Sequence, residues 1–150
     1  MLIYLGADHR GFELKEELKK FVADQGYEVV DLGAAQKDPA DDYDDFARAV
    51  AKKVGSDPQA RGILVCGSGA GMVMVANRFR GVRAALGFST DQVFDSRNQD
   101  DINVLTLASN FTSAEEASSM VKIFLHTPLS GEPRYQRRLD KFSDLGVGPE

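Results

Sequence analysis

Apolar positions along this chain follow two alternating rhythms. Apolar-rich runs occur at Ile3 to Gly6, Tyr27 to Leu32, Gly62 to Cys66, Val82 to Gly87 and Asn103 to Ala108, and each ends near a glycine or a polar cluster. Such runs mark strands, and the unbroken one into Cys66 marks a strand buried on both faces. Between them, apolar residues return every three or four positions: Leu14, Leu18, Phe21 and Val22, then Phe46, Ala47, Val50, Ala51 and Val54, then Ala117, Met120, Val121, Phe124 and Leu125. That period is one face of a helix. Shorter helices are expected from Met72 to Phe79 and from Ser89 or Thr90 to about Asn98, with a basic helix from about Arg134 to Phe142 and a Gly/Pro tail after it. Gly26 suits a left-handed helix end, and Asp42 and Thr112 or Ser113 are candidate caps.

Strands separated by single helices require right-handed crossovers and a parallel sheet. The expected fold is therefore a three-layer α/β/α Rossmann-like sandwich, with a five-stranded parallel sheet and an extra C-terminal helix. All 150 residues fit one domain, with no repeat or linker to divide them.

Composition narrows the classes of function. Eighteen basic and 23 acidic residues leave a net charge of −5, which disfavours a nucleic-acid partner. No apolar stretch approaches the ~20 residues of a membrane span, and the start MLIYLGADHR lacks a signal peptide's features, so no membrane association is expected. A lone cysteine, Cys66, fits a reducing compartment, with the cytoplasm as default. Positive charge is local, in Arg78 to Arg83 and Arg134 to Arg138, which suits a small anion.

Cys66 ends the third strand and opens the loop Gly67-Ser68-Gly69-Ala70-Gly71. A buried cysteine there can be a small hydrophobe. The glycines instead make room for a ligand oxygen facing several N–H groups, as in an oxyanion hole, and a helix start would favour the thiolate. The spacing is not that of a dinucleotide fingerprint. Asp8 and His9 follow the first strand on the same sheet edge, either as a turn pair or as ligand groups. His126 reads as a helix C-terminal residue. Arg134 and Arg138 share a helical face, either solvated or phosphate-binding. The acidic run Asp38 to Asp45 reads as a solvated loop, and no metal is expected. A thiol base, an anion hole and no cofactor motif point to proton abstraction beside a carbonyl, through an enediolate.

Several motifs in order, Gly6-Ala-Asp8-His9-Arg10-Gly11-Phe12, Gly62 to Met72, Ala76-Asn77-Arg78, Gly81-Val-Arg83-Ala84, and Ser96-Arg97 with Asn103-Val-Leu105, resemble the B-type ribose-5-phosphate isomerases and the related galactose- and allose-6-phosphate isomerases. The resemblance spans about residues 2 to 142. It implies aldose–ketose isomerisation of a small phosphorylated sugar in the pentose phosphate pathway, without cofactor or metal. It also implies a homodimer or tetramer with sites at the subunit interface. By the same resemblance Cys66 is the base, and Ser68 with the N–H groups of Gly67, Gly69, Ala70 and Gly71 holds the enediolate. Asp8 binds sugar hydroxyls or the ring oxygen, and Tyr43 lines the pocket. His9, Arg134 and Arg138 hold the phosphate, the arginines coming from the partner through the helix at about 134–142.

Three positions depart from the family pattern. Gln99 and Tyr135 stand where the family has histidines, one of which helps open the sugar ring, and Asp100 replaces a neutral amide beside the oxyanion. Gln99 hydrogen-bonds but does not exchange protons near neutrality. Three outcomes follow: a ribose 5-phosphate isomerase whose ring opening falls to Asp8, His9, Asp100 or solvent; an isomerase of a six-carbon sugar phosphate; or a non-catalytic sugar-phosphate-binding module.

Overall fold

The computed structural model describes residues 1–146, so the end of the Gly/Pro tail, residues 147–150, lies outside the described residues. Five strands run β1 (Leu2–Ala7), β2 (Glu28–Asp31), β3 (Arg61–Cys66), β4 (Ala84–Leu86) and β5 (Val104–Ala108). The helices are α1 (Phe12–Asp24), α2 (Tyr43–Ser56), α3 (Ala70–Ala76), α4 (Thr90–Asp100), α5 (Ala114–His126) and α6 (Pro133–Ser143). All strand pairs are parallel, in the order β2-β1-β3-β5-β4. The expected parallel sandwich with an added C-terminal helix is what forms.

Two apolar layers hold it together. Leu14, Leu18 and Val22 of α1 pack with Ala117, Val121 and Phe124 of α5 on one face of the sheet. Ala47, Val50 and Val54 of α2 pack with Met72 and Ala76 of α3 on the other. The strands contribute to both layers because successive side chains point to opposite faces. Leu5, Ile63 and Leu107 face the first layer, whereas Leu64, Cys66 and Val104 face the second.

Local chemistry sets the helix ends. At the end of α1, Gly26 has φ 88°, its N–H donates to Ala23 O, and Tyr27 N–H donates to Val22 O. These paired bonds form a Schellman motif around a glycine in the left-handed region. Ser89 Oγ accepts from Gln92 N at the start of α4, and Ser113 with Glu116 forms a capping box on α5. Asp42 occupies the position before α2 but makes no side-chain cap bond.

Two boundaries differ from the sequence expectation for one reason. Instead of running to Phe79, α3 stops at Ala76, and β4 begins at Ala84 rather than Val82. The Asn77 side chain donates to Ala84 O and accepts from Ala84 N, each at 2.8 Å. It thus occupies hydrogen-bonding groups on the edge strand while the chain between them turns back.

Lys15 is fully buried in α1, with Nζ 2.7 Å from Asp31 Oδ2 and 3.2 Å from Ala34 O. Burial alone would raise the Asp31 pKa, but hydrogen bonds from Lys15, Lys19 and the Gly33 N–H together hold it below its ordinary value. A depressed carboxyl pKa contributes stability above the unfolded value of about 3.8, and that contribution is lost as pH falls through the lower folded value. Asp31→Asn should cost about 3 kcal/mol at pH 7 by leaving the buried ammonium only the more exposed Glu16 carboxylate as a charged partner. Thermal melts at pH 7 and pH 3 should also show a weaker acid dependence in the variant. An equal acid-induced fall in both proteins would remove Asp31 from this role.

Candidate active site

The strand order reverses direction between β1 and β3, since β2 lies to one side of β1 and β3 to the other. Loops leaving the carboxyl ends of these strands diverge there and open a crevice, the usual ligand position in such sheets. A cavity of about 310 Å³ occupies it, lined by Asp8, His9 and Arg10 after β1, Asp41 and Asp42 before α2 with Tyr43 at its start, and Cys66 at the end of β3 with Gly67, Ser68 and Gly71 beyond it.

Cys66 is 4% exposed, and its Sγ accepts from Gly69 N at 3.1 Å. Burial pushes the thiol's pKa up and nearby Asp8 adds to the rise, while the backbone N–H groups of Gly69, Met72 and Ser68 pull it down. The net direction is upward. This corrects the expectation that a helix start would favour the thiolate: α3 has only seven residues, and desolvation outweighs its N–H groups.

Gly69 takes φ 74° as the chain turns into α3. Its N–H points at the sulfur, while Ala70 N–H donates to Ser68 Oγ at 3.3 Å. The loop therefore folds its donors around Cys66 and Ser68. At Gly71, a Cβ would come within 2.7 Å of the Tyr43 ring, so the absence of a side chain lets Tyr43 lie against the loop.

Asp8 is buried, and its Oδ1 accepts from Arg10 N and Gly11 N at 3.0 and 3.1 Å. It thus satisfies a turn and lines the cavity at the same time. The ring of His9 donates through Nδ1 to Asp41 Oδ1 at 2.7 Å, and His9 N donates to the same oxygen at 3.0 Å. That fixes the ring and commits Nδ1, leaving Nε2 available. Asp41 Oδ2 is buried without a hydrogen-bond partner. The acidic run is therefore not merely a solvated loop, because Asp41 and Asp42 form part of the cavity wall. Asp8, His9 and Asp41 place possible metal-ligand atoms within 4.8 Å of one another. His9 Nδ1 and Asp8 Oδ1 already have partners, and we assign no ion to the group.

Six expected site residues do not line this cavity: Gly69 and Ala70, whose N–H groups turn to Cys66 Sγ and Ser68 Oγ, and four residues on α4 and α6. Because α4 returns antiparallel to the strands, Gln99 and Asp100 at its end lie toward the amino edge of the sheet, opposite Cys66. Gln99 Nε2 donates to Asp95 Oδ1, and Asp100 lines a separate groove with Arg83, Arg138 and Phe142. On α6, the guanidiniums of Arg134 and Arg138 lie 4.8 and 5.7 Å from the centre of the Tyr135 ring. His126 ends α5 beside Tyr27, with ring centres 6.1 Å apart, in keeping with a structural residue. The sequence reading placed Arg10 in the loop after the first strand without giving it a role, and it missed Asp41 and Asp42 as cavity residues. The signal available for Arg10 was its place next to Asp8 and His9 within one motif, whereas the pairing of Asp41 with His9, 32 positions away, had none.

A thiol at the carboxyl end of a central parallel strand, beside a glycine loop and a wall bearing carboxylate, imidazole and guanidinium groups, defines the equipment of a proton-transferring enzyme for a small polar anion. The chain belongs to the Ribose/Galactose Isomerase family, whose model matches residues 3–142. A ribose-5-phosphate isomerase B of Mycobacterium tuberculosis is 36% identical over 93% of this chain and 86% of its own length. The crystal structure of ribose-5-phosphate isomerase B from Mycoplasma genitalium with bound ribulose-5-phosphate is 40% identical with a TM-score of 0.91, covering 95% of this chain and 93% of that one. The Thermotoga maritima ribose 5-phosphate isomerase structure is 38% identical with a TM-score of 0.90, covering 96% and 98%. With these relatives, the chain is an aldose–ketose isomerase of the ribose-5-phosphate isomerase B type.

Proposed function

We propose that this chain interconverts ribose 5-phosphate and ribulose 5-phosphate through an enediolate, with Cys66 as the base. The observation that carries the reading is the meeting of Cys66, Asp8 and His9 with Gly67, Ser68 and Gly71 of the glycine loop at one cavity. In the open-chain sugar, the Cys66 thiolate takes the proton from C2, and the electron pair moves to form the C1–C2 double bond and an oxyanion at O1. The N–H groups of Gly67 to Gly71 stabilise that charge. Ser68 carries the O2 proton toward O1, and the thiol returns its proton to C1 to give the ketose. Asp8 holds sugar hydroxyls, Tyr43 covers the pocket and His9 presents Nε2 to the phosphate.

Residues 1–150 act as one isomerase domain in a homodimer, with sites at the subunit interface. Gln99, Asp100, Arg134 and Arg138 complete each site from the partner chain. Two observations support this. These four residues lie away from their own chain's cavity, and bare apolar side chains flank both regions. Phe88 and Phe111 are 75% and 80% exposed beyond the carboxyl ends of β4 and β5, while Phe142 and Leu145 line the groove beside Arg138. No described helix is long and apolar enough to cross a membrane. With a lone cysteine, we place the enzyme in the cytoplasm.

Assays of ketose formation from ribose, allose and galactose phosphates test the substrate. Turnover of ribose 5-phosphate is expected to exceed the others by at least tenfold in kcat/KM. Turnover of a six-carbon phosphate alone would replace the substrate assignment, and binding without turnover would replace the enzyme assignment.

A further inference from the structure

We propose that Arg10 is a phosphate-binding residue, which gives each site a guanidinium from the same chain as Cys66. The inference rests on the sugar-phosphate reading above and adds a residue to it. Three carboxylates, Asp8, Asp41 and Asp42, face the cavity, against one imidazole and one guanidinium. A dianionic ligand needs a permanent positive charge in that wall, and Arg10 alone among its lining residues carries one. Arg134 and Arg138 do not line it.

The placement of Arg10 is built into the fold. Its N–H donates to Asp8 Oδ1 at 3.0 Å, and its carbonyl accepts from Ser109 Oγ at 2.9 Å, so its backbone is tied to its own turn and to the loop after β5. Its side chain then crosses Gly67. A Cβ on Gly67 would lie 2.8 Å from Arg10 Cδ and 3.2 Å from Nη1, so a side chain there would displace the arginine stem. The guanidinium thus lies beside the first residue of the loop that follows Cys66. Among the described residues no carboxylate pairs with it, although Arg83 and Arg97 share Asp101 elsewhere in the molecule. An exposed guanidinium held beside the cavity with its donors free suits bidentate binding of a phosphate.

Calorimetric titration of the purified protein with inorganic phosphate tests this directly, comparing wild type, Arg10→Ala and Arg10→Lys. The alanine variant should bind phosphate about ten- to a hundredfold more weakly, the range for losing hydrogen bonds to a charged group. Arg10→Lys should fall between them. For ribose 5-phosphate, KM in Arg10→Ala should rise by a similar factor with much less change in kcat, and the melting temperature should stay near that of the wild type. Equal phosphate affinity in wild type and Arg10→Ala would overturn the proposal while leaving the isomerase reading intact. Failure of the wild type to bind phosphate would overturn the sugar-phosphate reading, and this proposal with it.

Discussion

Cys66→Ala is expected to lower kcat by about two to four orders of magnitude, the usual contribution of a positioned general base. The side chain ends β3 and packs in the layer with Leu64, Met72 and Val104, where alanine fits without a new clash. The loss should therefore appear in turnover rather than in folding. Because burial raises the thiol's pKa, the base form is scarce at neutral pH. Wild-type kcat/KM should then climb about tenfold per pH unit until the pH reaches the thiol's pKa, and level off above it. Alkylation of Cys66 by iodoacetamide should accelerate over the same range. Appreciable activity in Cys66→Ala, or a rate independent of pH from 6 to 9, would take the thiol out of the role of base.

Mixing two inactive variants should restore activity. In a dimer whose sites combine Cys66 of one chain with Arg138 of the other, Cys66→Ala and Arg138→Ala homodimers are each defective. A mixed dimer carries one site with both defects and one with neither. Refolding an equimolar mixture should therefore recover about a quarter of wild-type activity, because half the dimers are mixed and each has one intact site. The expectation rests on the proposed cross-subunit site and on one observation, that Asp100 and Arg138 line a groove separate from the cavity at the β1/β3 crevice. Activity no higher than that of the variants assayed separately would contradict cross-subunit sites.

The sequence was most informative where chemistry is local. The apolar run into Cys66 and the alternating glycines after it fix a strand and a loop within a few residues, and Asp8 with His9 follows the neighbouring strand in the same way. The strand assignments alone place those two loops on one edge. They also imply that the end of α4 lies at the other edge, so the separation of Gln99 and Asp100 from Cys66 within one chain was legible in principle. Other features depend on distant partners. Asp41 reaches His9 across 32 positions, and Lys15 meets Asp31 across 16, so neither the held imidazole nor the buried ammonium has a signature in spacing. The thiol's direction was misread because a helix start is visible in sequence while the desolvation opposing it is not. The end of α3 was missed for a related reason: Asn77 favours neither outcome until Ala84 comes beside it.

Proton NMR in D2O gives the most direct test of Cys66 as the base of an enediolate isomerisation. Ribose 5-phosphate incubated with the wild-type protein should yield ribulose 5-phosphate carrying deuterium at C1, and the recovered aldose should gain deuterium at C2. Cys66→Ala at the same concentration should produce neither signal above the enzyme-free control. Deuterium entering at the wild-type rate in Cys66→Ala, or ketose formed by the wild type with no solvent deuterium at C1 under any exchange time, would contradict the account.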